Sequence, residues 1–453
     1  MKHLSTFHAS EVFTHLEMDI HFFPELTFLH GLNGSGKTTA LRLIMGLLQP
    51  SIETLGSIDF RTATVTGESH SHGVIAISAE KSEKTLVVKC SVTDEALEIP
   101  LEILEAEDPG RIVTRESARS KTIEAIRAIS SPIFLGIERR FITPDARRRS
   151  HLIPSSHDLA SRFRHERMAL EKQSYDSGLA EVADVIDTYV AKLHGAQQGV
   201  NDRFRKQLLL ESFTYVDPST HGFSFEAPSE EEFKEFRKKR EAISSALAVL
   251  DLASDEFEEK SERFFSTIED IITTIRQDSG KLRKGKDIDK KLSEALTAWF
   301  VNQSQMDRID RLFNMTTKYQ EQTEKTYKPV NDFVALVNQF FSQTGKAVSI
   351  GREGGVRIRM PNGNMTSLQA LSSGERQIFI MLAHLSLNRR LLRDGVFIVD
   401  EPELSLHMGW QDMFVEAIQK ANPRLQLILA THAPAIIGGR DDLCVPVSNM
   451  GDK

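Results

Sequence analysis

Between residues 31 and 38 the chain reads Gly31-Leu32-Asn33-Gly34-Ser35-Gly36-Lys37-Thr38, which places glycines, a cation and a hydroxyl within one short stretch. Glycines let backbone N–H groups close around phosphate oxygens, and a helix beginning at this point adds a dipole that favours an anion. Lys37 can neutralise β and γ phosphates, and the Thr38 hydroxyl can ligate Mg²⁺. Gly31, Asn33, Gly34, Ser35, Gly36, Lys37, Thr38 and Thr39 are therefore the candidate phosphate contacts.

Three further stretches offer chemistry that depends on company. Gly395-Val396-Phe397-Ile398-Val399-Asp400-Glu401 is an apolar run ending in two carboxylates. Asp400 can hold hydrated Mg²⁺, while Glu401 can accept a proton from an attacking water as general base. Acidic caps on buried strands are common in α/β proteins, so this stretch alone leaves both readings open, and the phosphate loop decides between them. Leu371-Ser372-Ser373-Gly374-Glu375-Arg376-Gln377 precedes a helical run, so Ser372 and Gly374 at its N-terminus form a second anion-binding surface. Without the loop, an ordinary capped helix would be the simpler account. Leu427 to His432 reads as a strand ending in a histidine that can reach a γ-phosphate; a lone histidine there would be structural.

The elements that must carry these residues follow from periodicity. Leu16 to Phe22 alternates apolar and polar residues, as a half-buried strand does, and Leu26 to His30 is a buried strand running straight into the glycines. A helix follows over Thr38 to Leu48. β-Branched runs at Val74–Ile77, Thr85–Val88 and Pro132–Ile137 predict further strands. Between about 155 and 345 the texture becomes helical, with apolar residues three and four apart, as in Phe264, Ile268, Ile271, Ile272 and Ile275. No heptad is sustained, and Pro218 and Pro228 interrupt the region, which predicts a bundle or short hairpin rather than a coiled-coil rod. Strand texture resumes at Val348–Ile350 and Val356–Arg359, around a Gly354-Gly355 turn. The fold expected is α/β, a head assembled from residues 1–154 and 346–453, with a mostly α-helical insertion over 155–345.

The four stretches, in this order, resemble the ABC ATPase superfamily, in which two heads sandwich ATP between one phosphate loop (Walker A) and the partner's signature motif. By that resemblance, ATP and Mg²⁺ are the ligands and Gly31 to Thr38 are Walker A. Leu371 to Glu375 are the signature, so Ser372, Gly374 and Glu375 contact ATP from a second copy. Asp400 and Glu401 are Walker B, Ser405 and Leu406 the D-loop, and His432 the catalytic switch histidine. The signature departs from the transporter form LSGGQ at Ser373 and Glu375, and a helical insertion divides the head, as in the SMC and RecF-like branch. That branch uses a glutamine beyond Walker A; here Glu138 stands in the comparable stretch. Asp400 to His407 and Thr431 to Pro434 are most similar to the overcoming-lysogenization-defect (OLD) family, which carries a Toprim nuclease after the histidine. Here about twenty residues follow it, too few for such a domain. A head of this kind resembles the ATPase subunits of two-gene anti-phage systems, PtuA of Septu with an HNH nuclease and AriA of PARIS with a Toprim nuclease.

The resemblance implies a slow ATPase that acts as a switch within a homo-oligomer and controls a separate nuclease or toxin. The alternative is a DNA repair or chromosome-maintenance ATPase of the RecF or SMC kind. A net charge of −8 excludes a general polycation, so any nucleic-acid contact must be local. Candidate patches are Arg139, Arg140 and Arg147 to Arg149, and Lys281, Arg283, Lys284, Lys286, Lys290 and Lys291. Glu230 to Glu232 stand before Lys234 and Arg237 to Arg240, which favours ordinary solvated helix faces. Two cysteines without a CxxC pair, no basic-then-apolar leader and no run of roughly 20 apolar residues predict a soluble cytoplasmic protein without a membrane partner.

Overall fold

A computed structural model of the chain describes residues 1–32, 34–69, 71–105, 120–130, 132–135, 141–142, 163–212, 231, 234–235, 238–239, 241, 243, 255–282, 290–351, 354–388, 395–404 and 406–447. The chain divides into two compact units: Met1–Tyr189 with Val330–Lys453, and Val190–Pro329. Asn33, Glu138, Arg139, Arg140, Arg147 to Arg149, Arg283, Lys284, Lys286 and Ser405 lie outside the described residues, as do Pro218 and Pro228.

The first unit has two large sheets. Strands β1 (His3–Val12), β2 (Leu16–His21) and β3 (Leu26–His30) open the chain, followed by β4 (Thr62–Ser69), β5 (Gly73–Lys81), β6 (Thr85–Cys90) and β7 (Leu97–Pro100). Then come β8 (Ile133–Leu135), β9 (Phe141–Ile142), β10 (Ala347–Gly351), β11 (Gly354–Arg359), β12 (Met365–Thr366), β13 (Gly395–Asp400), β14 (Leu425–Ala430) and β15 (Cys444–Pro446). An antiparallel sheet has the order β2-β1-β4-β5-β6-β7, and the alternation of buried and exposed residues, strict in β2, marks one covered face. The central sheet has the order β15-β3-β14-β13-β8-β9, parallel except at β8–β9. Its inner strands β13 and β14 are buried almost throughout, as strands covered on both faces must be.

The helix Lys37–Leu48 lies between these sheets and buries Ala40, Leu41, Leu43, Ile44, Leu47 and Leu48. Its side chains share one core with Phe7, Val65 and Ile77 of the antiparallel sheet and with Ile398 and Ile428 of the parallel one. Gln426, 1% exposed, joins the two sheets: its amide accepts from Leu4 N at 2.6 Å and donates to Leu4 O at 2.9 Å and Phe23 O at 2.8 Å. Residues 422 apart in sequence are thereby held together in a place where unpaired amide atoms would be costly.

Among the described residues the helical texture forms the long helices Phe163–Ser212, Asp255–Leu282 and Lys290–Phe341. The ends of the first and third, 163–189 and 330–341, belong to the first unit, where Phe333 meets Phe379 and Phe340 meets Trp410 at ring-centroid separations of 5.6 and 5.8 Å. In the second unit Val200, Phe204, Phe265, Ile268, Ile272, Ile275, Leu292, Trp299 and Tyr319 build a core of their own, so the region is a bundle with a hydrophobic centre. Lys239, which belongs to the basic run at 234–240, is clasped by Asp310 at 2.7 Å and Glu235 at 3.3 Å, a mostly buried charge paired within the helical region. Among the described residues, no helix is long and apolar enough to cross a membrane.

Candidate functional site

Parallel register aligns the carboxyl ends of three neighbouring strands. Leu29 pairs with Ala430, and Ala430 pairs with Asp400, so the chain leaves β3, β14 and β13 at one level of the sheet. The segments that emerge are the glycine loop after β3, Thr431-His432 after β14 and Glu401 after β13. Ligand sites of open α/β sheets lie at such strand ends.

The loop is shaped by its glycines. Gly34 and Gly36 have φ of +86° and +91°, a region that side chains disfavour. A Cβ on Gly31 would sit 2.4 Å from Ser35 Oγ, so any other residue there would force the Ser35 side chain to shift. The helix Lys37–Leu48 begins after Gly36 with no side-chain cap, leaving its first N–H groups to whatever occupies the loop. Lys37 is 5% exposed, and its ammonium donates to Gly31 O at 2.8 Å and Leu32 O at 3.2 Å. Both acceptors are neutral carbonyls, so the positive charge stays available to an anion in the loop.

Asp400 is 3% exposed, and its Oδ1 has no hydrogen-bond partner among the described residues; the same holds for Ser35 Oγ. Burial pushes the Asp400 carboxyl up to about 6; the hydrogen bond from the Thr38 hydroxyl and the Lys37 charge oppose this, while Glu401 and Glu403 reinforce it. A buried carboxylate oxygen left open beside a hydroxyl is the donor pair expected of a Mg²⁺ site, since this ion takes one or two protein oxygens and draws the rest from phosphate and water. The residues therefore fit Mg²⁺ with a nucleotide. Glu401 follows with φ of +47°, a strained value for a non-glycine residue, and its N–H donates to Ala430 O at 2.8 Å. That bond to the neighbouring strand holds the turn.

The second anion-binding surface sits on the helix Ser373–Leu387, which opens with a reciprocal capping box between Ser372 and Glu375. Ser372 is exposed, as a contact must be. Glu375, grouped by resemblance with the ATP contacts, turns inward. It is 1% exposed, and its carboxylate accepts from Lys346 Nζ and Thr344 Oγ1 at 2.8 Å each and from Ser372 N at 2.7 Å. Burial alone would raise its pKa, but these donors outweigh burial and hold the carboxyl below its ordinary range. Its role here is to shape the helix terminus, and any direct contact falls to Ser372 and the backbone at Gly374. No hydrogen bond among the described residues joins Ser372 or Gly374 to the glycine loop of the same chain.

An AAA ATPase domain family matches residues 13–437, which takes in both halves of this site and the helical region between them. The chain belongs to that family. As an AAA ATPase domain it has curated relatives in retrons. The probable ATPase of retron Ec83 from Escherichia coli is 25% identical over 213 residues, 42% of this chain and 39% of that protein. The probable ATPase of retron Vc95 from Vibrio cholerae serotype O1 biovar El Tor is 31% identical over 85 residues, 17% of this chain and 16% of that protein. The match thus spans well under half the length of either. Among solved structures, the Smc head domain from Pyrococcus furiosus with the C-terminal domain of ScpA bound aligns over 96% of this chain and 91% of its own, at a TM-score of 0.36 and 11% identity.

The structure gathers Lys37, Thr38, Asp400, Glu401 and His432 beyond the carboxyl ends of three neighbouring strands. Sequence reasoning missed Glu403, whose carboxylate holds the histidine segment, and Thr344 and Lys346, which hold Glu375. Each partner lies 28 to 31 residues away along the chain. At that distance no local pattern signals the pairing.

Proposed function

We propose that the protein is an ATP-hydrolysing switch subunit of an anti-phage defence complex, closing as a head-to-head homodimer and controlling a separate nuclease or toxin. The observation that carries the ATPase reading is the shared strand-end level of Lys37, Thr38, Asp400 and Glu401, with one Asp400 oxygen buried and open. The retron ATPase relatives support the defence context. The OLD-like motifs Asp400 to His407 and Thr431 to Pro434 favour a nuclease of the HNH or Toprim kind as partner, as with PtuA of Septu or AriA of PARIS.

In this reading the glycine loop and the N-terminus of the helix Lys37–Leu48 bind the phosphates, and Lys37 leaves its carbonyl acceptors to meet the β and γ oxygens. Thr38 and Asp400 would hold Mg²⁺, which would supply charge neutralisation to the phosphates. Glu401 takes the proton of the attacking water. Ser372 and Gly374 of a second copy complete the site; Ser372 is exposed, and the capping box takes up the Glu375 N–H, which leaves the N–H groups of Ser373 and Gly374 in the first turn. Binding energy then shifts the head between open and closed populations that the partner senses.

Two measurements test this. Lys37→Ala should lose ATP binding by calorimetry, and Glu401→Gln should bind normally but turn over about 10²- to 10⁴-fold more slowly. Equal turnover by Glu401→Gln and the parent would remove Glu401 as the base. Affinity capture of tagged Glu401→Gln with ATP and Mg²⁺ should retain a stoichiometric small nuclease or toxin. Recovery of DNA with repair proteins instead would favour a chromosome-maintenance role.

A further inference from the structure

Glu403 is left without a task by the chemistry above, yet its side chain is only 9% exposed and both of its oxygens are engaged. Oε2 accepts from Thr431 Oγ1 at 2.8 Å. Oε1 accepts from the backbone N–H of His432 at 3.1 Å and lies 3.2 Å from Nδ1 of the same imidazole. One carboxylate therefore holds the backbone N–H and the preceding hydroxyl of this segment and faces its ring, while the sheet anchors the segment through Thr431 N to Leu29 O at 3.3 Å.

The geometry points to Glu403 as a positioning residue that sets the orientation and tautomer of His432. In a neutral ring the nitrogen that faces a carboxylate is the one that carries the proton, because a carboxylate accepts and does not donate. Nε2 is then left as the free nitrogen of a ring that is 51% exposed. A carboxylate behind a functional imidazole orients it and selects the nitrogen offered to a ligand, as in carboxylate–histidine pairs behind metals and nucleophiles. Glu403 also stands in the turn after β13 that carries Glu401, whose carbonyl accepts from Leu404 N at 3.1 Å. The general base and the histidine are thereby fastened to one short turn, so displacement of one segment displaces the other.

This inference takes its catalytic consequence, but not its geometry, from the ATPase reading, and the test separates the two. In the full-length nucleotide-free protein carrying ¹⁵N-labelled histidine, the His432 ring, assigned by its loss in His432→Ala, should show a protonated Nδ1 and an unprotonated Nε2. Glu403→Ala should shift it towards the Nε2–H tautomer. Glu403→Gln, with an acceptor oxygen of the same reach, should fall between and serves where the alanine variant folds poorly. In steady-state ATP hydrolysis, Glu403→Ala should lower kcat about 10- to 100-fold with KM little changed. The same substitution in a His432→Ala background should cost no more. An Nε2–H ring in the parent protein, or independent losses from the two substitutions, would overturn the proposal. A parent protein without turnover but with the Nδ1–H ring would instead overturn the ATPase reading and leave the clamp intact.

Discussion

Two regions of the head each bury a carboxylate, and although burial raises the pKa of both, the net shifts are opposite. At the end of β13, Asp400 keeps an oxygen without a hydrogen-bond partner among the described residues, and burial raises its pKa to about 6. At the start of the helix Ser373–Leu387, Glu375 receives Lys346, Thr344 and Ser372, and its pKa falls. The physical difference is satisfaction. A buried charge with a full set of donors belongs to the scaffold, whereas one left short of donors is held ready for a ligand that brings the missing charge.

The contrast predicts opposite signs for parallel substitutions. Glu375→Ala strands the Lys346 ammonium, whose side chain is 14% exposed, and should destabilise the nucleotide-free protein by about 3 kcal/mol or more in chemical denaturation. A loss below about 1 kcal/mol would mean that the buried pair breaks even against solvent, and the scaffold half of the contrast would fail.

A second test uses acid on the same helix. His384 is 2% exposed, and burial holds its pKa down to about 4. Between the usual histidine value and about 4 the unfolded chain takes up a proton that the folded chain refuses. Stability should therefore be complete above about pH 6.5 and fall as pH drops towards 4, by about 3 kcal/mol over the window. His384→Gln should flatten this part of the stability–pH curve, and an unchanged slope would assign the acid sensitivity elsewhere.

The smallest effect carries the opposite sign. Asp400→Asn removes a charge that the nucleotide-free protein does not fully compensate, so it should stabilise that state by about 2 kcal/mol while weakening Mg²⁺-dependent nucleotide binding. Destabilisation by Asp400→Asn would erase the distinction between the two regions.

Much of this head is legible locally. The glycine loop, the strand before it and the helix after it follow from residue types within about twenty positions, because φ requirements and amphipathic periods are short-range constraints. The strands at Val74–Ile77 and Thr85–Val88 are found as β5 and β6. The capping box at Ser372 and Glu375 is equally local in its spacing. What that spacing does not disclose is that Lys346, just before β10, completes the Glu375 site and draws its carboxylate inward.

Neighbour relations across the sheet were decided only by the tertiary structure. Nothing in an apolar run states that β14 lies between β3 and β13, since parallel strands need crossovers and the order of those crossovers is a global choice. Once that order is set, the register brings Ala430 level with both Leu29 and Asp400, Gln426 bridges to Leu4, and Glu403 comes within reach of His432. The sequence by itself determined which residues can bind phosphate and abstract a proton, because those powers reside in single side chains and short loops. The fold decided which of them share one site and which carboxylate remains open, because satisfaction of a buried charge depends on donors that arrive from distant parts of the chain.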